Sequence, residues 1–513
     1  MRRRLSVLLE WTSASHIQID GRIQLVDEPA TGIRVLSTTE ILPLSTLVTI
    51  PKSALLSCKS CSRASLIPFV PYGHGAHLAL ALAVYSELLN GSASRWYGYL
   101  QSLPTDIVPI ALLWGTDDAD EDGMQGRLWL TGTEVEKEFL DESGALILDE
   151  SREYYATIVE PLLSSLSSSN TLSGFLHAYS LVSSRAFLVD AYHGLSMVPI
   201  ADAFNHIHEN HVHLESDYDV CPTCGSLSEC PHDREESSGS PTQPSSSKVF
   251  PPSTDTCDMV TNLFVPAHSE VFNTYGARLS NATLLTRYGF SLEGNENDIL
   301  SWNIYDLRSS LHPMNVDMYE RLVSGWTRSR WSVVLEDSTL VFRPDLENDT
   351  YSQSGSNLRR FLCINSDAQV SVHLWLWAAF RNMRSSGAEQ DLDEFVRLLG
   401  RVAEMQVQLE HVLADGGEDE GTVHDSDALS RRILSGIATD LCVLCAHRIT
   451  QIGAHPELSS AELGEMLDNL PSNRPKTRLA LSQVLAERAV VESCASAWRA
   501  LEELLEDDLE LAP

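Results

Sequence analysis

Residues 17–50 alternate short apolar runs with turn-forming residues. The runs IQI, IQLV, GIRVL and LVTI are broken by Gly21, Pro29, Gly32 and Pro43. Short apolar runs bounded by glycine and proline are typical of β-strands joined by tight turns. The pattern therefore predicts a compact mixed sheet near the start of the chain, rather than βαβ units.

Apolar residues have the spacing of α-helices in two regions, over about residues 51–178 and after residue 300. In the second region, apolar residues recur every three or four positions in three long stretches, at 395–413, 429–444 and 479–505. Such a repeat places the apolar side chains on one face of a helix. We therefore predict a helical insertion within a first domain of residues 1–300, followed by a helical domain over 301–513.

The stretch MVPIADAFNH, residues 197–206, has polar side chains directly after an apolar run. Asp202, Asn205 and His206 follow residues 197–200, which have the pattern of a buried strand. A strand that ends in polar residues can place an amide and an imidazole at a functional site. An Asx turn that merely closes a buried strand gives the same pattern, so both interpretations stay open.

A second segment, VFNTYGARLSNATLLTRYGF, occupies residues 271–290. It places Tyr275 before a glycine and ends with Tyr288 and Phe290 around another glycine. When the chain folds back, we expect these aromatic residues near the preceding Asn–His pair, and an aromatic core without a site is the alternative. The sequence has no P-loop, GxSxG elbow, HExxH motif or kinase signature, which disfavours phosphotransfer and classical hydrolase chemistry.

The 513-residue chain is long enough for two or three domains, and its 43% hydrophobic content suits a soluble globular protein. No apolar run approaches the roughly 20 residues of a membrane helix, so we expect no membrane association. Glu10 ends the apolar run after MRRR too early for a signal peptide, which favours an amphipathic first helix. The formal net charge of −35 disfavours direct nucleic-acid binding and favours a basic protein partner, although a solvated acidic surface needs no partner.

Ten cysteines without a secretory signal indicate a reducing compartment, the nucleus or the cytoplasm, rather than a disulfide framework. Four metal-binding side chains fall within twelve residues as C-x2-C-x5-C-x-H: Cys221, Cys224, Cys230 and His232. This set suits a tetrahedral structural zinc, and a reduced loop without metal is the alternative. Residues 233–256, rich in serine and proline, predict a disordered surface loop directly after it.

Five motifs occur in order along the chain and together resemble those of the SET-domain protein-lysine methyltransferases. The motifs are ATGI at residues 30–33, SRAF at 184–187, D-x-x-N-H at 202–206, YG at 275–276 and RYGF at 287–290. The resemblance covers most of the chain and is to the branch with the Rubisco large-subunit methyltransferase and fungal ribosomal-protein methyltransferases. It implies an α+β fold: a SET-domain β-fold with pseudoknot-like threading and a helical insertion, plus an all-α C-terminal substrate-binding domain.

The resemblance also implies roles for individual residues. Tyr275 would be the catalytic tyrosine at the channel through which the methyl group passes. The residues implied to bind S-adenosyl-L-methionine (AdoMet) are Thr31, Gly32, Ser184, Arg185, Asp202, Asn205, His206, Tyr275, Tyr288 and Phe290. The early motif of the family has two glycines, whereas Ala30 replaces the first one in this chain. The backbone approach to the cofactor therefore departs from the family pattern at this point.

The residue types suit methyl transfer, in which an amine displaces a methyl group from a sulfonium in line. A lysine has a reference pKa near 10.4 and must first lose a proton, and a dry aromatic channel favours the neutral amine. We therefore expect a monomeric, AdoMet-dependent protein-lysine N-methyltransferase that acts on a basic protein such as a ribosomal protein. The alternatives are a histone-lysine methyltransferase and a catalytically inactive SET-like scaffold that binds partners.

Overall fold

A computed structural model describes residues 2–28, 32–117, 119–141, 143–164, 170–227, 230–234, 255–303, 307, 316–344, 362–384, 392–414 and 428–510. The α-helices are α1 (Arg2–Ala14), α2 (Gly73–Asn90), α3 (Tyr97–Leu100), α4 (Glu121–Trp129), α5 (Glu134–Lys137), α6 (Ile147–Tyr154), α7 (Glu160–Leu163), α8 (Leu172–Arg185), α9 (Asn281–Arg287), α10 (Val316–Arg328), α11 (Val372–Arg384), α12 (Leu392–Ala414), α13 (Ala428–Ile449), α14 (Ser460–Asp468) and α15 (Pro475–Glu510).

The strands are short and lie mostly in the first 300 residues. They are β1 (Gln18–Ile19), β2 (Ile23–Glu28), β3 (Gly32–Ser37), β4 (Thr46–Pro51), β5 (Leu56–Ser57), β6 (Ala186–Leu188), β7 (Leu195–Met197), β8 (Val212–Ser216), β9 (Thr256–Thr261), β10 (Ile299–Ser301), β11 (Val341–Phe342), β12 (Cys363–Asn365) and β13 (Val370–Ser371). The four strands β1 to β4 coincide with the apolar runs of residues 17–50, which confirms the predicted strands. The prediction of a single mixed sheet is wrong, because β2 and β3 form a hairpin apart from the sheet of β1 and β4, and these strands pair antiparallel.

The chain forms two compact units that alternate along the sequence. The first unit comprises Met1–Leu113, Ala145–Leu279 and Thr286–Gly289. The second unit comprises Trp114–Gly144, Ser280–Leu285 and Phe290–Pro513. One part of the predicted helical insertion, residues 114–144, therefore belongs with the second unit. The domain boundary near residue 300 stays a prediction.

Small antiparallel sheets form the β part of the first unit. Strand β4 pairs with β1 on one side and with β9 on the other, and β8 extends this sheet beyond β9. Strands β2 and β3 form a hairpin, while β7 pairs with β5 and β6. Val35, Val48 and Ile50 are fully buried, so the apolar positions of these strands form a core.

Helices α2 and α8 pack against each other in the first unit. Gly174 of α8 allows this close approach, because a Cβ at this position would lie 2.7 Å from the Tyr85 ring of α2. The Tyr85 hydroxyl accepts a 2.7 Å hydrogen bond from the backbone N–H of Thr171, whose side chain caps α8. Since α8 ends at Arg185, this packing determines where the arginine of the SRAF motif lies.

The three long apolar repeats are confirmed as helices α12, α13 and α15 of the second unit, and α13 packs along α15. Strands β10 to β13 form a four-stranded sheet that the helical pattern did not predict. Strands of two or three residues are too short to produce a recognisable alternation of apolar and polar positions. No helix in the described parts of the chain combines the length and apolar character needed to span a bilayer.

A buried charge cluster joins α5, α13 and α15 of the second unit. Arg448 Nη2 lies 2.9 Å from Glu134 Oε1, and the backbone N–H of Glu134 donates to Glu487 Oε1 at 2.9 Å. Burial and the adjacent Glu134 carboxylate raise the pKa of Glu487 to about 7, against the opposing effect of Arg448. Ionic contacts therefore hold the short helix α5 in place.

The segment between β8 and β9 leaves and re-enters one sheet, and Lys52 joins its two ends. The Lys52 ammonium lies 2.8 Å from both Asp190 Oδ2 and Asp255 Oδ1, and it donates to the Asp217 carbonyl at 3.1 Å. The lysine side chain is 2% exposed, so these contacts are shielded from water. Residues 235–254 of the predicted disordered loop lie outside the described residues.

Candidate functional site

The main chain brings the two polar motifs and strand β3 side by side. The Val271 N–H donates to the Val35 carbonyl at 2.9 Å. On the other side, the Asn273 N–H donates to the Asn205 carbonyl at 2.8 Å, and the Ile207 N–H donates back to the Asn273 carbonyl at 3.1 Å. This pairing explains how a tyrosine and a histidine about 70 residues apart come into contact.

His206 contacts Tyr275 through both its ring nitrogen and its ring face. The backbone N–H of Tyr275 donates to His206 Nδ1 at 3.1 Å, and the two rings are stacked with centroids 5.2 Å apart. Burial, helped by the neighbouring His208, lowers the pKa of His206 to about 4. The imidazole is therefore neutral at physiological pH, and its proton is assigned to Nε2 because Nδ1 accepts a hydrogen bond.

Tyr288 continues this aromatic stack on the other side. Its ring centroid lies 4.8 Å from that of Tyr275, and its hydroxyl donates to the Tyr275 carbonyl at 3.4 Å. Burial raises the pKa of Tyr275 to about 12, against the opposing effect of Arg185. Tyr275 therefore keeps its phenolic proton at neutral pH, and three aromatic rings form a continuous wall.

Arg185 and Asp202 form a second part of the site. Arg185 Nη1 donates to the Asp202 carbonyl at 3.0 Å and lies 3.5 Å from its Oδ2. The Tyr99 hydroxyl donates to the same carboxylate oxygen at 2.9 Å. Burial raises the pKa of Asp202, whereas Arg185 and Tyr99 favour its charged form. Arg185 Nε is buried and has no hydrogen-bond partner among the residues that the structure describes.

The Asn205 side chain is oriented by a carboxylate from the second segment. Its amide nitrogen donates to Glu270 Oε1 at 2.6 Å. Arg34 of β3 donates to the other oxygen of Glu270 at 3.3 Å and also pairs with Glu28. An arginine–carboxylate–amide chain thus fixes the asparagine of the D-x-x-N-H motif.

The remaining residues predicted to bind AdoMet have different surroundings in the structure. Thr31 lies outside the described residues. Gly32 begins β3 with a φ of 81°, a backbone conformation that favours glycine. Ser184 donates its hydroxyl to the Ser180 carbonyl of its own helix at 2.8 Å, and Phe290 belongs to the second compact unit. Their cofactor-binding roles, like those of the other predicted residues, stay predictions.

Three residues that the motifs did not reveal support the site. Tyr99 binds Asp202, Glu270 binds Asn205, and the Ser183 hydroxyl donates at 3.0 Å to the Arg287 carbonyl just before Tyr288. Glu270 had a weak signal in the sequence, because it directly precedes the apolar start of the second segment. Tyr99 had no such signal in the sequence, since it lies in an apolar repeat of helical spacing that indicates only a core position.

The four predicted metal ligands lie together in the segment between β8 and β9. Their ligand atoms are all within 4.8 Å of one another. His232 Nδ1 lies 3.8 Å from Cys221 Sγ and 3.6 Å from Cys230 Sγ. Backbone N–H groups, chiefly that of Cys224, lower the pKa of the Cys221 thiol to about 6. The structure thus brings together the side chains that the C-x2-C-x5-C-x-H spacing singled out.

No protein-family profile matches the chain. Ribosomal lysine N-methyltransferase 3 of Saccharomyces cerevisiae is 27% identical over 354 aligned residues, which cover 55% of this chain and 60% of that protein. An uncharacterized protein of Schizosaccharomyces pombe is 26% identical over 218 residues, which cover 39% of this chain and 42% of that protein. The chain thus spans less than two thirds of the length of these curated relatives.

Solved structures match nearly the whole chain. The SET domain of LSMT bound to lysine and AdoHcy gives a TM-score of 0.57 at 15% identity, and the match covers 99% of this chain and 93% of that one. Rubisco LSMT bound to AdoMet gives a TM-score of 0.53 at 15% identity over 98% and 93% of the two chains. These matches confirm the α+β class and the resemblance inferred from the sequence motifs: the chain has the SET-domain fold of the Rubisco LSMT structures.

Proposed function

We propose that the protein is an AdoMet-dependent protein-lysine N-methyltransferase that acts on a basic protein. The observation that carries this proposal is the stack of His206, Tyr275 and Tyr288 beside Arg185 and Asp202. It combines an aromatic wall with fixed polar groups, which is what transfer of a methyl group to an amine requires. The relative named as a ribosomal lysine N-methyltransferase and the SET-domain fold support the same reaction.

The residues of the site fit AdoMet. The buried Nε of Arg185 has no partner among the described residues, and it offers a charged donor suited to the carboxylate of a methionine group. Asp202 holds this guanidinium through its Nη1 atom and leaves Nε available. Asn205 and His206 would hold the adenine part of AdoMet, as the resemblance to the family implies. The activated methyl group comes from AdoMet when it is bound.

The residues of this chain would act mainly by positioning and desolvation. The neutral phenol of Tyr275 is available to orient the lone pair of the incoming lysine nitrogen. The buried aromatic wall excludes water and so favours the uncharged amine over the ammonium. The ring faces also attract the positive charge of the sulfonium and of the methylated product.

A ribosomal protein is the substrate class that we favour. The net charge of −35 gives the enzyme a surface that attracts basic proteins. The name of the Saccharomyces cerevisiae relative favours a ribosomal protein over the histone alternative. The presence of Tyr275, Asn205 and His206 in one site argues against an inactive scaffold. We further propose that the protein works in the nucleus or the cytoplasm, where ten reduced cysteines are stable.

The test of the proposal is AdoMet binding and methyl transfer by the full-length chain. We expect calorimetry to detect AdoMet binding, and radiolabelled AdoMet to label lysine in a mixture of ribosomal proteins. An absence of AdoMet binding would contradict the enzyme function. Labelling of histones but not of ribosomal proteins would support an enzyme with the alternative substrate.

Tyr275→Phe tests the role of the phenol within this site. The variant keeps the aromatic stack and removes the hydroxyl, so we expect methylation to fall by at least about 100-fold, with unchanged AdoMet affinity in calorimetry. Tyr97→Phe is the matched control, because Tyr97 is exposed and its variant should methylate normally. Equal turnover by Tyr275→Phe and the native protein would refute the assigned role.

A further inference from the structure

We propose that Cys221, Cys224, Cys230 and His232 bind one structural zinc ion that fixes the segment between β8 and β9. The site lies outside the proposed methyltransferase residues, and the inference does not depend on methyltransferase activity. It assigns a function to the one motif that the proposed reaction does not use. Three thiolates and one imidazole are a common ligand set for a closed structural zinc site.

The two distances from His232 Nδ1 to cysteine sulfurs match those that a bound zinc imposes. With Zn–S near 2.3 Å and Zn–N near 2.0–2.1 Å, a tetrahedral site separates sulfur from nitrogen by about 3.6 Å. The observed separations between His232 Nδ1 and the sulfurs of Cys230 and Cys221 are 3.6 and 3.8 Å. All separations between ligand atoms in the set are within 4.8 Å.

The backbone around the first two cysteines has the form of a metal knuckle. The Cys221 N–H donates to the Ser226 carbonyl at 3.0 Å, and the Gly225 N–H donates to the Cys221 carbonyl at 2.8 Å. Gly225 has a φ of 74°, which permits the tight turn after Cys224.

Hydrophobic packing does not explain this cluster. Cys224 and His232 are exposed, so neither contributes to a core. Cys58 and Cys61 have the same C-x2-C spacing but provide a contrast, because both are buried and burial raises the pKa of Cys58 to about 12. Two buried thiols of that kind are core residues, whereas Cys224 and His232 are exposed and their ligand atoms lie within 4.8 Å of those of Cys221 and Cys230.

A zinc ion would add stabilisation to the described part of this segment, beyond the contacts at its two ends and at Gly225. Lys52 holds the ends through the Asp217 carbonyl and the Asp255 carboxylate. Between them, Gly225 packs on the Tyr192 ring, and a Cβ at this glycine would lie 2.9 Å from that ring. A metal at the cluster would join residues 221 and 232 and so fix this short loop against its support.

Metal analysis of the purified full-length protein is the direct test. We expect about one zinc ion per chain after purification without chelators. After replacement of zinc by cobalt(II), we expect the intense visible bands of tetrahedral cobalt and a thiolate-to-cobalt charge-transfer band. A protein without bound zinc, or a weak octahedral cobalt spectrum, would overturn the proposal.

Two ligand variants and one control locate the metal. Cys224→Ser and His232→Ala change exposed ligands, and we expect zinc affinity to fall by at least about tenfold, since even outer-shell changes cost 10–100-fold. Cys442→Ser is the matched control, because this half-exposed cysteine belongs to α13 in the second unit. Normal zinc affinity in both ligand variants would exclude this site. If a variant does not fold, the cobalt spectrum of the native protein still shows whether a tetrahedral thiolate site is present.

Discussion

At the scale of single residues, His206 and Ile200 show how the D-x-x-N-H segment is adapted to a site. Ile200 is fully buried with a φ of 74°, a left-handed conformation that is costly for a β-branched residue. The turn that follows brings Asp202 to Arg185 and His206 to the Tyr275 backbone. Local strain at this position is therefore compensated by specific contacts of the residues that follow it.

The depressed pKa of His206 predicts a loss of stability in mild acid. The folded protein holds this pKa at about 4, whereas an unfolded chain has the ordinary value near 6.5. Between these values the unfolded state binds more protons, so the contribution of His206 is complete above about pH 6.5 and declines as the pH falls toward 4. We expect part of the acid-induced fall in melting temperature to come from this residue.

His206→Asn tests that expectation, because the amide oxygen can accept the Tyr275 N–H bond but does not titrate. The difference in melting temperature between the native protein and this variant should shrink from pH 7 to pH 5. His213→Asn is the control, since His213 is an exposed residue beside Glu215. A difference that is constant with pH would show that His206 is not responsible.

At the scale of elements, ionic and polar contacts attach short or irregular segments to the regular ones. Lys52 joins the chain before β5 to both ends of the segment between β8 and β9. Although burial opposes its charged form, hydrogen bonds with Asp190 and Asp255 raise the pKa of Lys52. Hydrogen bonds from His193 and Lys52 in turn hold the pKa of Asp190 far below its usual range.

Lys52→Met should destabilise the first unit strongly. The change keeps the length of the side chain but removes the ammonium that pairs with the fully buried Asp190, a loss of about 3–5 kcal/mol for a buried pair. Chemical denaturation gives the change in free energy of unfolding. Lys59→Met is the comparison, because the contacts of the Lys59 ammonium within the described residues are cation–π contacts with Phe69 and Tyr192, worth about 0.5–1 kcal/mol. Similar losses of unfolding free energy in the two variants would contradict the role of Lys52.

At the scale of the whole molecule, two compact units each contain their own buried core and their own buried ionic cluster. In the second unit, Glu487 has a pKa raised to about 7 by burial and by Glu134. An unfolded chain has the ordinary glutamate value near 4.3. The folded state therefore binds more protons between these values, and stability falls as the pH rises through this range.

Glu487→Gln should remove the loss of stability that comes from ionising the buried Glu487 carboxyl at higher pH. The amide keeps an oxygen for the bonds from the Glu134 backbone and Gln483, and it carries no charge to bury. Above pH 7 we expect the variant to be more stable than the native protein by on the order of 1 kcal/mol, with a smaller difference at pH 5. Glu503→Gln, on an exposed position of the same helix, is the control. A pH-independent difference in unfolding free energy would refute the assignment.

Elements and motifs that depend on neighbouring residues could be predicted from the sequence alone. The strands of residues 17–50 and the three long helices follow from apolar spacing, and the set of four candidate metal ligands follows from residue type, because neighbouring positions define them. The order of the SRAF, D-x-x-N-H and YG motifs was enough to predict the SET-domain fold, which the structural matches confirm.

Only the tertiary structure decided which distant side chains meet. Tyr99 with Asp202, Asn205 with Glu270, and Lys52 with Asp190 and Asp255 join positions separated by 65 to more than 200 residues. No local pattern encodes such pairs, since each depends on how helices and strands pack. The short strands β10 to β13 were missed because two or three residues show no recognisable alternation of apolar and polar positions. Strands β10 and β11 in addition depend on pairing with the later strands β12 and β13.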